Sequence, residues 1–352
     1  MRRVLTVLVV LLAVYFAITR LGEVQEVAQT VQRGNPWWLG LGLLLQAAWL
    51  VNTALTLRAV YRLMGVPSRL RDLLPLVITG NFINIVAPSG GMGGMAVYIS
   101  DARRRGLSAS RVTIAGVLHL LLEYFSFLCV LALGLVVLVR RNNLTAIEAA
   151  ASIVLLAAAL TLTGLLALGA WSPTRLERVL KWAARTVNRA AQPVLRRPYL
   201  SEAQAHEFTV EAVEGLGVLR AHWLEYVPAA VLALLGKALL IGILLMVFLA
   251  YGTPFSSGTL VAGFSIGHLF TIVSPTPSGL GVVEGALTLG LVSLRVPLRP
   301  ATVITLGYRA FTFWLPFAYG FFALRVLHWQ WDRGEVKVGT PGSEETQGTQ
   351  GK

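Results

Sequence analysis

Six ionisable side chains lie inside long apolar stretches of this 352-residue sequence. A charged side chain at the centre of a lipid-facing helix costs at least about 2.5–3.5 kcal/mol, so each of these groups should face a partner or a wet cavity. Buried groups of this kind can pair with one another or contact a charged substrate. They are His119, Glu123, Lys237, His268, Glu284 and Arg309.

Opposite charges are available among these groups for two buried ion pairs. Lys237 and Arg309 are the cations, and Glu123 and Glu284 are the anions. Glu123 follows His119 by one helical turn, which places both on one helix face. Buried pairs stabilise a fold poorly compared with packed apolar side chains, which favours a functional polar core. Ion pairs that only hold helices together are the alternative.

Two Pro- and Gly-rich segments offer a second kind of chemistry. They read APSGGMGG at 87–94 and SPTPSGLG at 274–281, each inside an apolar stretch. Proline removes a backbone donor and glycine destabilises a helix interior, so no helix continues through either segment. A helix that ends at membrane depth exposes N–H groups and its positive dipole end, which can hold an anionic headgroup such as a phosphate. Simple kinks or tight turns are the alternative.

These two segments supply most of the candidate substrate-binding residues. Glycine would let a headgroup approach the backbone, and two Asn side chains beside the first segment would add neutral donors. Asn in a membrane helix also bonds to neighbouring helices, so both roles stay open for these two. The candidates are Asn81, Asn84, Pro88, Gly90, Gly91, Gly93, Gly94, Pro275, Pro277, Gly279 and Gly281, together with Glu123, Lys237, Glu284 and Arg309.

The composition identifies the solvent around these residues as lipid. Hydrophobic residues make up 55% of the chain and charged residues only 13%, too few to coat a soluble domain of this length. The net charge of +13 is spread between apolar runs, which indicates membrane orientation and not nucleic acid binding. The one cysteine, Cys129, allows neither a disulfide framework nor a thiolate metal cluster. No metal and no cofactor are expected.

The apolar windows predict an all-α integral membrane protein. Windows long enough to cross the hydrocarbon layer of roughly 30 Å predict spanning helices, and the first of them indicates a retained signal anchor. The six predicted spans are 4–20, 36–57, 111–139, 144–171, 224–250 and 300–326.

The charges between the windows predict a topology. Arginines at 2–3, at 58–71 and at 103–111 indicate three cytoplasmic segments. The broken stretch at about 72–100 therefore enters and leaves on one face, as a re-entrant hairpin, and the stretch at about 258–295 enters from the opposite face. Such an arrangement is an inverted repeat, as in many secondary transporters. In the rival topology each broken stretch crosses the membrane, giving eight spans.

This topology divides the chain into four parts. Residues 1–171 form the first transmembrane half and 222–330 the second. A basic amphipathic connector at 172–221 lies on the cytoplasmic side, either on anionic lipid headgroups or as a solvated linker. The tail at 331–352 has no apolar periodicity and is expected to be disordered. Both termini are expected in the cytoplasm of a bacterial inner membrane protein.

The second broken segment also carries a family resemblance. The sequence SPTPSGLGVVE at 274–284, followed by Tyr308, Arg309, Pro316 and Gly320, resembles the flippase-like transmembrane family. That family includes the membrane half of bacterial lysylphosphatidylglycerol synthases and their stand-alone homologues, and the resemblance covers about residues 1–330. It implies translocation of phospholipids or polyprenyl-phosphate-linked lipids between leaflets, and it adds Tyr308 to the candidate site.

The resemblance has one departure, at the first broken segment. Family members often carry a Glu and an Arg soon after the first proline motif, where this chain has GGMAVY at 93–98. The headgroup need not be the family's usual one. No transferase domain follows in this sequence, so lysine transfer from tRNA is not expected.

The sequence therefore predicts a lipid translocator and not an enzyme. No Walker-type loop, HExxH helix or GxSxG elbow occurs in it. The expected partners are membrane lipids with anionic headgroups, and no nucleic acid is expected to bind. A homo-oligomer is compatible with the sequence. A membrane-embedded enzyme acting on a lipid-linked substrate and an accessory structural subunit are the alternatives.

Overall fold

The computed structural model describes residues 21–86, 92–140, 223–274 and 276–332, with a few isolated positions between 153 and 182. All regular secondary structure in these residues is helical. The predicted spans at 4–20 and 144–171, most of the connector and nearly all of the tail lie outside the described residues. The all-helical class is confirmed.

The described helices are numbered in chain order. Before the connector they are α1 Leu21–Arg33, α2 Pro36–Leu63, α3 Leu70–Val86, α4 Met92–Arg104 and α5 Ala109–Arg140. After it they are a 3-10 turn Trp223–Tyr226, α6 Val227–Ala250, α7 Ser257–Val273, a 3-10 turn Pro277–Gly279, α8 Val282–Ser293, α9 Leu298–Arg309, a π turn Ala310–Trp314 and α10 Leu315–Asp332.

Three of the described helices are long and apolar enough to cross a membrane: Pro36–Leu63, Arg111–Val136 and Leu224–Ala250. They match three of the predicted spans. The sixth predicted span, 300–326, falls on three consecutive segments, α9, the π turn and α10. Six spans are therefore not established by the described residues.

Helices α3 and α4 form an antiparallel pair, called here the first hairpin. A Cβ added at Gly80 would lie 3.2 Å from the Cα of Gly94 and 3.2 Å from the Tyr98 ring, and one at Gly94 would lie 3.0 Å from Asn84. Gly94, near the start of α4, contacts Asn84 near the end of α3, and Tyr98, one turn later on α4, contacts Gly80, one turn earlier on α3. The two helices are therefore antiparallel. The chain direction reverses between Val86 and Met92, so α3 and α4 are not two parts of one kinked helix.

Helices α7 and α8 form the second hairpin in the same way. Gly263 faces Leu291, and Gly267 faces Leu287 one turn further along each helix. Gly290 packs so closely on Ile266 that a Cβ there would lie 2.8 Å from the Ile266 side chain. Both broken stretches thus fold as helical hairpins, closed by small residues that let two helices approach.

The two halves exchange equivalent contacts. Helix α2 packs most extensively on α6 of the other half. Helix α3 of the first hairpin packs on α10, and α7 of the second hairpin packs on α5. Each hairpin therefore lies against the long helix that follows the other hairpin.

The turn of the second hairpin reaches the end of the first. The Pro277–Gly279 turn packs against α3, and Ile85, Leu280 and Phe313 form one buried apolar cluster. Ile85 lies in the last turn of α3, directly before the first broken segment. The turn of the second hairpin therefore lies beside the last turn of α3, although almost 200 residues separate Ile85 from Leu280 in the chain.

Candidate functional site

The turn of the second hairpin satisfies many of its own polar groups. The Ser274 and Thr276 hydroxyls lie 2.8 Å apart, and the Thr276 hydroxyl donates to the Leu280 carbonyl at 2.9 Å. The Gly279 amide donates to the Thr276 carbonyl at 3.0 Å. Irregular backbone at membrane depth requires such internal partners, since lipid provides none. The Ser and Thr residues of SPTPSGLG thus make this turn possible.

Backbone conformation explains the glycines of this turn. Ser278, Gly279 and Gly281 have φ values of 47°, 74° and 77°, all in the left-handed region that favours glycine. A Cβ at Gly281 would meet no atom within 4 Å, so its surroundings are open. Pro277 opens the 3-10 turn, whereas Pro275 lies outside the described residues.

Arg309 lies beside this turn and is almost completely buried. Its Nε donates to Glu284 Oε1 at 2.6 Å and its Nη2 donates to the Ser278 carbonyl at 3.2 Å. The guanidinium lies 4.6 Å from the centre of the Phe313 ring. The Arg309 side chain is 3% exposed and that of Glu284 is 23% exposed. The sequence predicted a buried pair for Arg309 without naming its acid, and that acid is Glu284.

One polar atom of the Arg309–Glu284 pair has no hydrogen-bond partner among the described residues. It is Glu284 Oε2, which is buried. Glu284 lies in the first turn of α8, whose N-cap residue Gly281 supplies no side-chain hydrogen bond. The first amides of a helix have no partner within the helix. A guanidinium, uncapped amides and a half-satisfied carboxylate therefore meet at the turn of the second hairpin.

The first hairpin has a different character. The Gly94 amide donates to Asn84 Oδ1 at 2.8 Å, and Gly94 packs against Gly80. The expected open approach of a headgroup to Gly94 is therefore wrong, because α3 occupies that space. Gly93 is partly exposed. Pro88, Gly90 and Gly91 lie outside the described residues.

Among the described residues, Asn81 and Tyr308 both contact other helices and not the turn of the second hairpin. The Asn81 side chain interacts with the hydroxyl of Tyr319 on α10, which is an interhelical contact of the alternative kind. Tyr308 is 6% exposed and belongs to the large apolar cluster around α6 and α9. Adjacent residues on a helix point in different directions, so Tyr308 packs in the core while Arg309 faces the turn.

A second buried ion pair joins the two halves. Lys237 Nζ on α6 donates to Glu123 Oε2 on α5 at 2.5 Å, with the Lys237 side chain 5% exposed. His119 interacts electrostatically with both groups, as the one-turn spacing predicted. The His268 ring packs between Phe127 and Phe264, with ring centres 4.7 and 5.2 Å away. The two predicted pairs thus form at two separate places.

Several residues that contribute to these sites carry little or no signal in the sequence. Phe313 follows Arg309 by four residues, a spacing that brings side chains together on one helix face. Ser278 lies within the second broken segment, but nothing local marks its carbonyl as a guanidinium acceptor. Gln46, whose amide donates to Tyr319 Oη at 3.3 Å, carries no charge that would have drawn notice. Among the described residues no group of three or more His, Cys, Asp or Glu side chains could hold a metal ion.

Comparison with known proteins adds a family to this geometry. Residues 3–320 match the family described as the lysylphosphatidylglycerol synthase TM region. No curated protein matches the chain.

Proposed function

We propose that this chain, which belongs to the lysylphosphatidylglycerol synthase TM region family, is a transporter that moves anionic lipids between membrane leaflets. Membership ties the chain to a membrane family related to lipid modification or translocation. The finer proposal is translocation of a phospholipid or a polyprenyl-phosphate-linked lipid. The observation that carries it is the buried guanidinium of Arg309, held at the turn of a helical hairpin beside uncapped helix amides.

The proposed topology is two re-entrant hairpins that enter from opposite faces as an inverted repeat. Helices α3 and α7 have 17 residues each, and α4 and α8 have 13 and 12. At 1.5 Å per residue they are about 18–26 Å long, shorter than a hydrocarbon layer of roughly 30 Å. The contact between Ile85 and the cluster at Leu280 supports hairpins whose turns meet at depth.

Charge supports the same orientation. Arg103 and Arg104 are exposed at the far end of α4, and Arg71 is exposed at the start of α3. The base of the first hairpin would then lie at the cytoplasmic face, following the positive-inside rule. The uncharged segment 251–257 before the second hairpin would lie at the opposite face of a bacterial inner membrane.

In the proposed mechanism only the lipid headgroup follows a polar path. Arg309 and the first amides of α8 would bind the headgroup phosphate, since helix N-termini and arginine both favour phosphate. Glu284 keeps Arg309 neutralised and in place when no lipid is bound. The acyl chains stay in the bilayer, which removes most of the cost of crossing.

The test is reconstitution of the purified chain in phosphatidylcholine vesicles with a trace of fluorescent phosphatidylglycerol. Dithionite quenching reports how fast the probe moves between leaflets. We expect Arg309→Gln, alone and together with Glu284→Gln, to slow this movement at least tenfold. The matched control is Arg299→Gln, which removes the same charge from an exposed position on the same helix.

The control should move the probe at the wild-type rate. Equal rates for the wild type and both Arg309 variants, each shown to be folded by its thermal transition, would refute the headgroup site. Formation of a new lipid product by the purified chain would instead favour the enzyme alternative.

A further inference from the structure

Two polar links join similar pairs of helices in the two halves. Lys237 on α6 binds Glu123 on α5, which follows the first hairpin. Gln46 on α2 binds Tyr319 on α10, which follows the second hairpin after α9 and the π turn. Lys237 and Gln46 each lie ten residues after the start of their helix. Glu123, however, lies 14 residues after the start of α5 and Tyr319 lies 21 residues after the start of α9, so the links join similar helices at different heights.

Each link has a third polar neighbour from a hairpin. Asn81 on α3 interacts with the Tyr319 hydroxyl, and His268 on α7 interacts electrostatically with Lys237. Both residues lie on the first helix of their hairpin. One cluster therefore contains Gln, Asn and Tyr, and its counterpart contains Lys, His and Glu. The two clusters differ in charge and in the ability to exchange a proton near neutral pH.

The Lys237–Glu123 ion pair is not needed merely to hold its helices together. The Gln46–Tyr319 hydrogen bond shows that uncharged side chains can join these elements. A buried ion pair is no more stabilising than neutral groups of similar size, because removing both charges from water offsets their attraction. The fold therefore does not require an ion pair between α5 and α6. Acidic and histidine side chains in membrane helices commonly serve as proton relays.

We infer that Glu123 is a protonation site through which the chain couples lipid movement to a transmembrane proton gradient. The inference rests on the proposed function and supplies its energy source. The titratable groups that face Glu123 are His119 on its own helix, Tyr98 on α4 and Lys237 on α6. On the other helices packed on α5, His268 of α7 lies near Lys237, and the uncharged Asn52 of α2 donates its amide to the Leu232 carbonyl.

The proton balance is simple. In the closed state the Glu123 carboxylate accepts a hydrogen bond from Lys237 and no transported proton is present. A proton from one side of the membrane binds the carboxylate and ends the ion pair, and the anionic headgroup takes the place of the carboxylate beside Lys237 while α5 and α6 separate. After the headgroup has crossed, the proton leaves to the other side and the pair forms again. One proton then crosses for each lipid.

The experiment uses the full chain in phosphatidylcholine vesicles with a trace of fluorescent phosphatidylglycerol. The membrane potential is held at zero with potassium and valinomycin, and a one-unit pH difference is imposed. One proton per lipid limits the leaflet ratio of the probe to about tenfold for each pH unit. Coupling fixes this ratio for either protein orientation, so mixed insertion does not cancel it. We expect a severalfold accumulation of the probe in one leaflet for the wild type.

The variant that tests the site removes both charges, Glu123→Gln with Lys237→Met. It avoids leaving one buried charge without a partner, which is the main risk to folding for either single change. Its leaflet ratio should stay at one with and without the pH difference. Tyr319→Phe changes the neutral cluster and should accumulate the probe as the wild type does.

The outcomes separate two ideas. If the wild type moves the probe but its leaflet ratio is the same with and without the pH difference, the coupling is overturned and the proposed function stays in place. Accumulation by the double variant would overturn the role of Glu123. No probe movement by folded wild-type protein would refute the proposed function and the coupling together. A second readout is proton entry, followed with a pH dye inside the vesicles: equal entry for the wild type and the double variant would also overturn the site.

Discussion

The two hairpins share an architecture and differ in where their charges lie. The first carries its charges at the base, where Arg105 binds Asp101 at 2.7 Å and approaches Asp72 at 3.5 Å. The second carries its charges at the turn, where Arg309 binds Glu284. The two ion pairs are about equally buried, with side chains 22% and 6% exposed at the base and 3% and 23% exposed at the turn, so they differ in position and not in burial. Among the described residues, only the base also carries exposed arginines, such as Arg104, which can orient the chain.

The glycines divide along the same line. In the first hairpin Gly80 and Gly94 bring two helices together. In the second, Gly279 and Gly281 provide left-handed backbone at the turn, while Gly263, Gly267 and Gly290 perform the packing. Glycines in two similar motifs can therefore be present for two reasons, close helix packing in one and left-handed backbone in the other. A substitution should therefore have different consequences in each hairpin.

The largest expected effect comes from the charge at the second turn. Removing one partner of a buried pair costs about 3–5 kcal/mol, because the other charge is left without compensation. We expect Arg309→Gln to lower the unfolding free energy by about this amount. Arg309→Gln with Glu284→Gln should lose less than Arg309→Gln alone, because no unpaired charge remains. Denaturation of the purified chain in mixed micelles gives these values.

Additive losses in the single and double variants would contradict the pairing. The same cycle at Lys237 and Glu123, with Lys237→Met and Glu123→Gln, should show the same non-additivity across the two halves. A double-mutant cycle in the first hairpin could give an interaction energy as large as either of these two. That result would remove the contrast between the hairpins.

The next effect concerns the close approach in the first hairpin. Gly80→Val would force side-chain atoms against the Gly94 backbone and the Tyr98 ring. Overpacking of this kind costs about 1–3 kcal/mol. The control is Gly285→Ala on α8, a helical position where a Cβ meets no atom within 4 Å. It should leave the unfolding free energy unchanged or raise it slightly, since alanine favours helix.

Equal losses at Gly80 and Gly285 would mean that the contrast in glycine roles is wrong. Probe translocation offers a second comparison. Gly80→Val should change translocation only as far as it changes the fraction of folded protein.

A smaller effect is expected at Asn84, which links the first hairpin without charge. Asn84→Ala leaves the Gly94 amide without its side-chain acceptor and should cost about 1 kcal/mol. Asn84→Asp keeps the acceptor and separates loss of the hydrogen bond from loss of shape. If Asn84→Ala unfolds at the wild-type denaturant concentration, the bond contributes nothing to stability.

Much of the fold followed from local features of the sequence. Apolar length predicted the three long helices, and Pro- and Gly-rich segments predicted both turns, because helix formation and helix breaking depend on neighbouring residues. Complementary charge predicted that the buried cations and anions pair, but not which cation pairs with which anion. These predictions need no knowledge of how distant helices pack.

The remaining features depend on packing between distant segments. The role of Gly94 could not be separated from that of Gly281, because only the position of α3 shows that the first is covered. Tyr308 was assigned to the site through its neighbour Arg309, yet one residue along a helix turns the side chain toward the core. The Gln46–Tyr319 link joins residues 273 positions apart and has no local signal.

The smallest effect on stability is expected at the base of the first hairpin, and it tests what the charges there do. Arg104 is exposed, so Arg104→Cys should change the unfolding free energy by no more than about 0.5 kcal/mol. The change is made in a Cys129→Ala background, so the new thiol is the only one. A membrane-impermeant maleimide should fail to label it in intact cells and should label it after permeabilisation. Ser257→Cys, at the exposed start of α7, is the control and should be labelled in intact cells. Labelling of position 104 from outside would place the base arginines at the outer face. The charges at the base would then no longer mark the cytoplasmic side, and the rival topology with full crossings would replace the hairpin pair.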